Sequence, residues 1–321
     1  MSRCIYYSML IGFSGISGLY AENYPIKPVR LIVAQAAGSS TDLIARLIAA
    51  QLTRELTHPV IVDIRPGAGG LLGTELVAKS PADGYTLQLA TIATHGVIPA
   101  LYKKLPFDVI NDFSGVTLAA VTPNALIVHP SLPVKSVSEL IDFAKKHPNE
   151  INFGSSGTGG AQHMAAELFV SLSGQRAMTH IAYKGTTPAL TGLVSGEVQW
   201  MLPSLSSAMG SVTARKVRLL AISSVKRDAT MPEVPVIAET IKGFEVESWW
   251  GVVAPKSIPN AVTDLLNSSI GKALMLPDTV SKLASDGLRV KLMNPEKFDE
   301  FIKKEVTKWS QLVRDNKIIQ Q

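Results

Sequence analysis

Asn152-Phe-Gly-Ser-Ser-Gly-Thr-Gly-Gly-Ala-Gln-His-Met-Ala-Ala-Glu167 leaves a short apolar strand, passes through a run of small residues and enters a helix. Glycines let the backbone turn its amides toward one point. The first helical turn adds N–H groups that have no intrahelical acceptor and sit at the positive end of the helix dipole. Ser155, Ser156 and Thr158 contribute hydroxyls, so the stretch reads as an anion seat. A second stretch repeats the design: Leu31-Ile32-Val33 runs through Ala36-Ala37-Gly38-Ser39-Ser40-Thr41 into a helix that opens with Asp42. Either loop alone is equally an ordinary strand-to-helix turn, with glycine serving the geometry and Ser or Thr the cap. Two of them in one chain can hold a single ligand between them.

Outward from these loops the chain alternates strand and helix signals. The patterns predict strands over Val29–Val33, Val60–Val62, Tyr85–Ala90, Ala125–Val128, Thr179–Ala182, Val198–Leu202, Val217–Ile222 and Trp249–Ala254. Helices are predicted over Asp42–Leu56, Leu71–Ser80, from Ser136 with the capping box Ser136-Val-Ser-Glu139, and over Ala161–Ser173 and Pro188–Ser195. Right-handed crossovers between such strands give a parallel sheet with helices on both faces, an α/β fold. The pattern restarts beyond Val121. Three further helical stretches, Ala261–Met275, Thr279–Asp286 and Pro295–Arg314, have no companion strands and are expected to pack back on the first unit. The expected division is residues 22–122 plus 246–321 as one domain and 123–245 as the other, hinged near Val121–Pro123 and Gly243–Trp249.

The 321 residues are 46% hydrophobic and 18% charged, which suits a packed chain with a large core and neither disorder nor serial membrane spans. The net charge of +5 is scattered and aromatics are sparse, so the chain lacks the basic stripe and stacking platform of a nucleic-acid binder. Met1-Ser2-Arg3 followed by the mostly apolar Cys4–Tyr20 and Ala21 reads as a secretory signal, residues 1–21, cleaved near Ala21. The run falls short of the roughly 20 apolar residues of a spanning helix. Cys4 leaves with the signal, so the mature chain forms no disulfide.

Enzyme motifs fail in detail. Gly154-Ser155-Ser156-Gly157-Thr158 has Thr where a nucleophile elbow needs its second Gly. The Gly154–Gly159 window has phosphate-loop spacing, but Gly160-Ala161 stand where Lys and Ser or Thr belong. The six histidines show no metal-ligand pair, and His95 and His163 read first as polar groups of a loop or helix start. Asp42, at a helix N-terminus, is expected to cap rather than act as a general base. The reading calls for no catalytic residue, no metal and no cofactor.

Several motifs in one order carry a resemblance: Tyr24-Pro25…Pro28-Val29-Arg30-Leu31-Ile32-Val33, Gly38-x-x-Thr41-Asp42-x-x-Ala45-Arg46, Arg65-Pro-Gly-Ala-Gly-Gly70, Ala78-Lys-Ser-Pro-Ala-Asp-Gly-Tyr-Thr86, Tyr183-Lys-Gly185…Pro188-Ala-Leu190 and Trp249-x-Gly251-x-x-Ala254-Pro255. Over nearly the whole mature chain this resembles the Bug family, extracytoplasmic solute-binding receptors of tripartite tricarboxylate transporters. The resemblance implies a class II periplasmic binding fold, two α/β domains closing like a flytrap on a small carboxylate. It also implies that the loops matching Ala34–Asp42 and Ser155–Gln162 grip that carboxylate through amides, hydroxyls and ordered waters. The expected ligand residues are Gln35, Ser39, Ser40, Thr41, Asp42, Ser155, Ser156, Thr158, Gly159, Gln162 and Ser204. The expected setting is a periplasmic monomer that passes its ligand to membrane permease subunits. A membrane sensor as the partner, or an enzyme on the same fold, is the alternative. Where the family commonly has Pro-Phe-x-x-Gly-Gly, this chain has Ala34-Gln35-Ala36-Ala37-Gly38-Ser39, a more polar lining. Where it usually continues Asp-Leu-Met-Phe, Gln199-Trp200-Met201-Leu202-Pro203-Ser204 follows, and Trp200 reads as core filling ahead of ligand stacking.

Overall fold

The computed structural model describes residues 24–175, 177–315 and 318, so the expected leader and its cleavage point lie outside the described residues. Strands β1 (Val29–Val33), β2 (Val60–Ile64) and β3 (Thr86–Thr91) run parallel, joined by helices α1 (Ser40–Leu56) and α2 (Leu71–Ala78). A wide helical turn over Ile92–Val97 and the short α3 (Ile98–Leu101) then lead to β4 (Phe113–Pro123), which feeds directly into β5 (Ala125–Val128) of a second sheet. That sheet is built from β6 (Asn152–Ser155), β7 (Thr179–Ala182), β8 (Trp200–Met201) and β9 (Arg218–Ile222) around β5, in the order β7-β6-β8-β5-β9. Helices α4 (Val137–Lys146), α5 (Ala161–Ser173), α6 (Thr186–Val194) and α7 (Leu205–Thr213) connect its strands. The chain returns as β10 (Glu247–Pro255), followed by α8 (Asn260–Leu274), α9 (Pro277–Ser285), β11 (Arg289–Val290) and α10 (Pro295–Asp315). The first sheet is ordered β11-β4-β10-β3-β1-β2.

The expectation of a parallel sheet holds for β1, β2 and β3 and fails for β10, which lies antiparallel to both β3 and β4. The cause is topological. β10 re-enters beside the end where β4 leaves, with Glu247 opposite Pro123, and so must run against it. In the second sheet β5 is likewise antiparallel to β8 and β9. β4 itself is invisible to an apolar-run search because Ser114, Gly115, Thr117, Ala119 and Ala120 dilute it. Small residues are required there: a Cβ on Gly115 would lie 2.8 Å from Asp299 Oδ1, the atom that accepts the Gly115 amide at 2.7 Å.

Strand alternation assigns each face to a core. Leu31 and Val33 join α1 and α8 residues such as Ile44, Ile48, Leu266 and Ile270 on one side of the first sheet. Ala125 and Ile127 join Leu193, Met201 and Ala208 on one side of the second. Ile32, Ala90 and Val253 share a third cluster with Leu126, Val128, Phe153, Met164, Phe169 and Trp200, so one continuous apolar core runs through both units. Trp200 is fully buried between Phe153 and Phe169, with ring centroids 5.0 and 5.1 Å away, which is the core role expected for it.

The C-terminal helices do pack back on the first unit. α8 lies on α1, and α10 covers β4 and the 92–101 segment. Buried Glu305 of α10 accepts the indole N–H of both Trp249 and Trp309 at 3.0 Å through one oxygen, Oε2, pinning α10 to β10. Where the two chain crossings lie side by side, the fully buried Asn124 ties them together. Its amide donates to Ser223 Oγ (2.6 Å), its Nδ2 to the Leu202 carbonyl (2.8 Å), and its Oδ1 accepts from Ser248 Oγ (3.1 Å). No helix among the described residues is long and apolar enough to cross a membrane.

Candidate functional site

In each unit the loops that follow the parallel strands gather at one edge. This is the edge where doubly wound sheets bind ligands, because the helix N-termini of the crossovers all point there. α1 and α2 start at that edge of the first sheet, and α5, α6 and α7 at that edge of the second.

In the first unit, Gly38 adopts φ +76°, the left-handed turn that aims the chain into α1. Ser39 is the N-cap, its Oγ accepting the Asp42 amide at 3.3 Å. The Asp42 carboxylate reaches back to the Gly38 amide (2.9 Å) and pairs with Arg46 Nε (2.7 Å). Asp42 is therefore spent on the cap, as expected. Thr41 is buried and accepts the Trp250 indole N–H at 2.9 Å, which leaves its hydroxyl proton available. Ser40 is half-buried. Gln35 gives Nε2 to Thr91 Oγ1 at 3.3 Å, linking the β1 loop to the β3 loop. The loop after β2 is drawn into the same cluster, since a Cβ on Gly70 would meet Thr94 Cγ2 at 2.7 Å and one on Gly73 the Arg65 carbonyl at 2.7 Å.

In the second unit Ser155 is fully buried. Its Oγ donates to the Gly157 carbonyl (3.1 Å), accepts the Gly157 amide (3.2 Å) and lies 2.7 Å from His180 Nε2. Because the hydroxyl proton goes to Gly157, Nε2 of His180 is the donor to Ser155. The Gly159 amide donates to His163 Nδ1 (3.1 Å), and the other ring nitrogen of His163 faces Glu167 at 3.4 Å. The two imidazoles stack at 3.9 Å with Phe153 beneath them. Burial, and secondarily the neighbouring His163, pushes the His180 pKa down to about 4. Ser156 is half-buried and Thr158 is exposed at the loop tip. Gln162 donates Nε2 to Thr186 Oγ1 (2.8 Å), and the Gly185 amide donates to the Ser156 carbonyl (3.1 Å), which binds the β7 loop to the β6 loop. Ser204 stands at the N-cap position of α7 without a side-chain capping bond, its hydroxyl 2.7 Å from Ser207 Oγ, and its backbone bridges to Asn124.

The two groups of loops meet through the 92–101 segment, against which α5 packs. Gly159, at φ +74°, sits where any Cβ would run into Leu101 Cδ1. His95 of that segment is wholly buried beside Phe113 (4.8 Å), its Nδ1 3.0 Å from Thr94 Oγ1, and burial alone drives its pKa to about 3. It is a neutral core group. A surface hollow of about 620 Å³ around Tyr102, Phe107, Ile110 and Val306 is lined by none of the candidate residues.

Among the described residues no backbone carbonyl accepts the amides of Ser40 and Thr41, of Ala161, Gln162 and His163, or of Thr186 and Thr187. These are first-turn donors backed by helix dipoles, with no lysine or arginine side chain in either seat loop. The sequence reading missed Thr91, Trp250, His180 and Thr186 as supports. Thr91-Ile-Ala-Thr94 closing a strand carried a legible cap signal, realised as reciprocal bonds of 3.0 and 3.4 Å. The other three are long-range partners that no local pattern announces.

The family described as tripartite tricarboxylate transporter family receptor matches residues 44–318. Protein BugT of Bordetella pertussis is 34% identical over 310 residues, covering 96% of this chain and 95% of BugT. A solved structure of R. palustris Rpa4515 with adipate superposes with a TM-score of 0.83 at 32% identity, over 92% of this chain and 99% of that one. MatC (Rpa3494) from Rhodopseudomonas palustris with bound malate gives 0.78 at 30% identity, over 90% and 100%.

Proposed function

The chain belongs to the Bug-type receptors of tripartite tricarboxylate transporters, and on that footing we propose that it captures a small carboxylate between its two seat loops and delivers it to membrane permease subunits. The observation that carries this reading is the set of uncommitted amides at the starts of α1, α5 and α6, with no lysine or arginine in the two seat loops. Such donors match an anion and bind it with charge-assisted bonds of about 1.5 to 3 kcal/mol each. The hydroxyls of Ser40, Thr41, Ser156 and Thr158 supplement the amides. Ser39, Asp42, Ser155, Gly159 and Ser204 shape the seat through the partners described above, while Gln35 and Gln162 line it. Similarity to chains solved with adipate and malate supports a carboxylate of that size.

The domains in this proposal are residues 22–122 plus 246–321 and 123–245. They close about the crossings at Val121–Pro123 and Gly243–Trp249, where Asn124 stitches the strands. The protein works as a periplasmic monomer, exported by residues 1–21 and cleaved near Ala21. A thermal-shift screen of the exported protein against a carboxylate library tests the reading. At a hundred times its dissociation constant the right acid adds about 2.7 kcal/mol. Stabilisation by neutral or cationic solutes alone would contradict it.

A further inference from the structure

The seat presents acceptors as well as donors. Gln35 and Gln162, one from each unit, both have a buried Oε1 that no donor among the described residues reaches. In each case the amide is oriented by a threonine. Thr94 Oγ1 gives its proton to the Thr91 carbonyl at 3.2 Å and stands 3.4 Å from Thr91 Oγ1, so Thr91 sends its own proton to Thr94 and accepts from Gln35 Nε2. That fixes Gln35 with its carbonyl oxygen turned away from Thr91. Gln162, 9% exposed, is held through Nε2 by Thr186 at 2.8 Å, at the point where α5 and α6 both begin. α5 packs on the 92–97 turn that Thr91 caps, so the two amides lie on the two sides of one junction.

A carboxylate is acceptor-only and cannot satisfy a bare carbonyl oxygen, whereas a buried acceptor without a partner is costly. Resting on the carboxylate reading above, we propose that the ligand carries, besides its carboxylate, a hydrogen-bond donor on its carbon skeleton, a hydroxyl or an ammonium, which Gln35 Oε1 and Gln162 Oε1 receive. A site that bonds a ligand hydroxyl rejects the analogue lacking it far more strongly than an apolar pocket rejects a missing methylene.

Calorimetry with succinate, malate and aspartate, and with adipate and its hydroxy and amino derivatives, tests this on the intact mature protein. Within the chain length that binds, the hydroxy or amino acid is expected to bind at least tenfold tighter than the plain diacid, and which of the two wins identifies the donor. Gln162→Met and Gln35→Met, checked for unchanged melting without ligand, are each expected to cut that preference to threefold or less. If Gln162→Met does not fold, Thr186→Val, which frees the Gln162 amide to turn, takes its place with the same expectation; if Gln35→Met does not fold, the Gln162 variant decides alone. A plain diacid that binds as tightly as its substituted partners would overturn the inference and leave the carboxylate reading standing. So would a preference that survives both glutamine variants. If none of the six acids binds at millimolar concentration, the carboxylate reading falls and this inference with it.

Discussion

The two seat loops solve one problem by different means. The first is held by its own helix cap and by an indole from a distant strand: Ser39, Asp42 and Arg46 close the turn, and Trp250 fixes Thr41. The second is held by imidazoles, with His163 receiving the Gly159 amide and His180 bonding Ser155. Burial makes protonation of His180 costly to the second loop, a cost the first loop, which holds no imidazole, does not carry. The difference teaches that similar loops can have unlike sensitivities, and that glycine has different meanings in each. Gly38 and Gly159 share a left-handed φ, yet nothing lies within 4 Å of a Cβ on Gly38, while one on Gly159 meets Leu101.

The largest effect follows from that contrast. Gly159→Val adds backbone strain and a clash with Leu101, about 3 kcal/mol or more together, and is expected to weaken ligand binding by some hundredfold or more. Gly38→Ala meets only the strain, about 1 to 2 kcal/mol. Titrating both variants with the same acid checks the order, and equal losses would break the comparison.

Acid separates the loops next. The unfolded chain protonates its histidines near pH 6.5, whereas native His180 does so only near 4 and His95 near 3. Both groups have lowered pKa values in the fold, so their penalty is absent above pH 6.5 and grows as pH falls from there toward 4. Melting temperature should drop across that window. His180→Gln, which can keep a donor toward Ser155, should flatten the drop, and an unchanged slope would remove the imidazole pair from the account.

Smaller effects test the first loop. Trp250→Phe removes the donor to Thr41 and should cost about 1 kcal/mol of stability and up to tenfold in affinity. Ser156→Ala, which removes a hydroxyl with no hydrogen-bond partner among the described residues, should leave melting unchanged and weaken binding about tenfold or less. If Trp250→Phe leaves affinity untouched, Thr41 is a structural residue only.

Much of this was legible. The strand-to-helix loops, the restart beyond Val121 and the return of the C-terminal helices all follow from periodicity and small-residue punctuation, and the helix Ala161–Ser173 and strands Ala125–Val128 and Thr179–Ala182 have the bounds read from the residues. β4 was not legible, because its small residues answer to Phe298 and Asp299 nearly two hundred positions away. The reversed course of β10 depends on where the chain crosses, which no local pattern encodes. Of the site, the loops were readable from composition, but the engagement of Ser155 by His180 and of Thr41 by Trp250 depends on tertiary contacts. Asp42 as a cap was readable because the rule is local.

The central claim is that negative charge is held by amides, hydroxyls and helix dipoles with no cation in either loop. Calorimetry comparing the tightest-binding acid with its primary amide of the same skeleton tests it most directly. The account predicts that converting the seated carboxylate to an amide weakens binding at least a hundredfold, about 2.7 kcal/mol. Equal affinity for acid and amide would show that these loops are turns and that the ligand is held elsewhere.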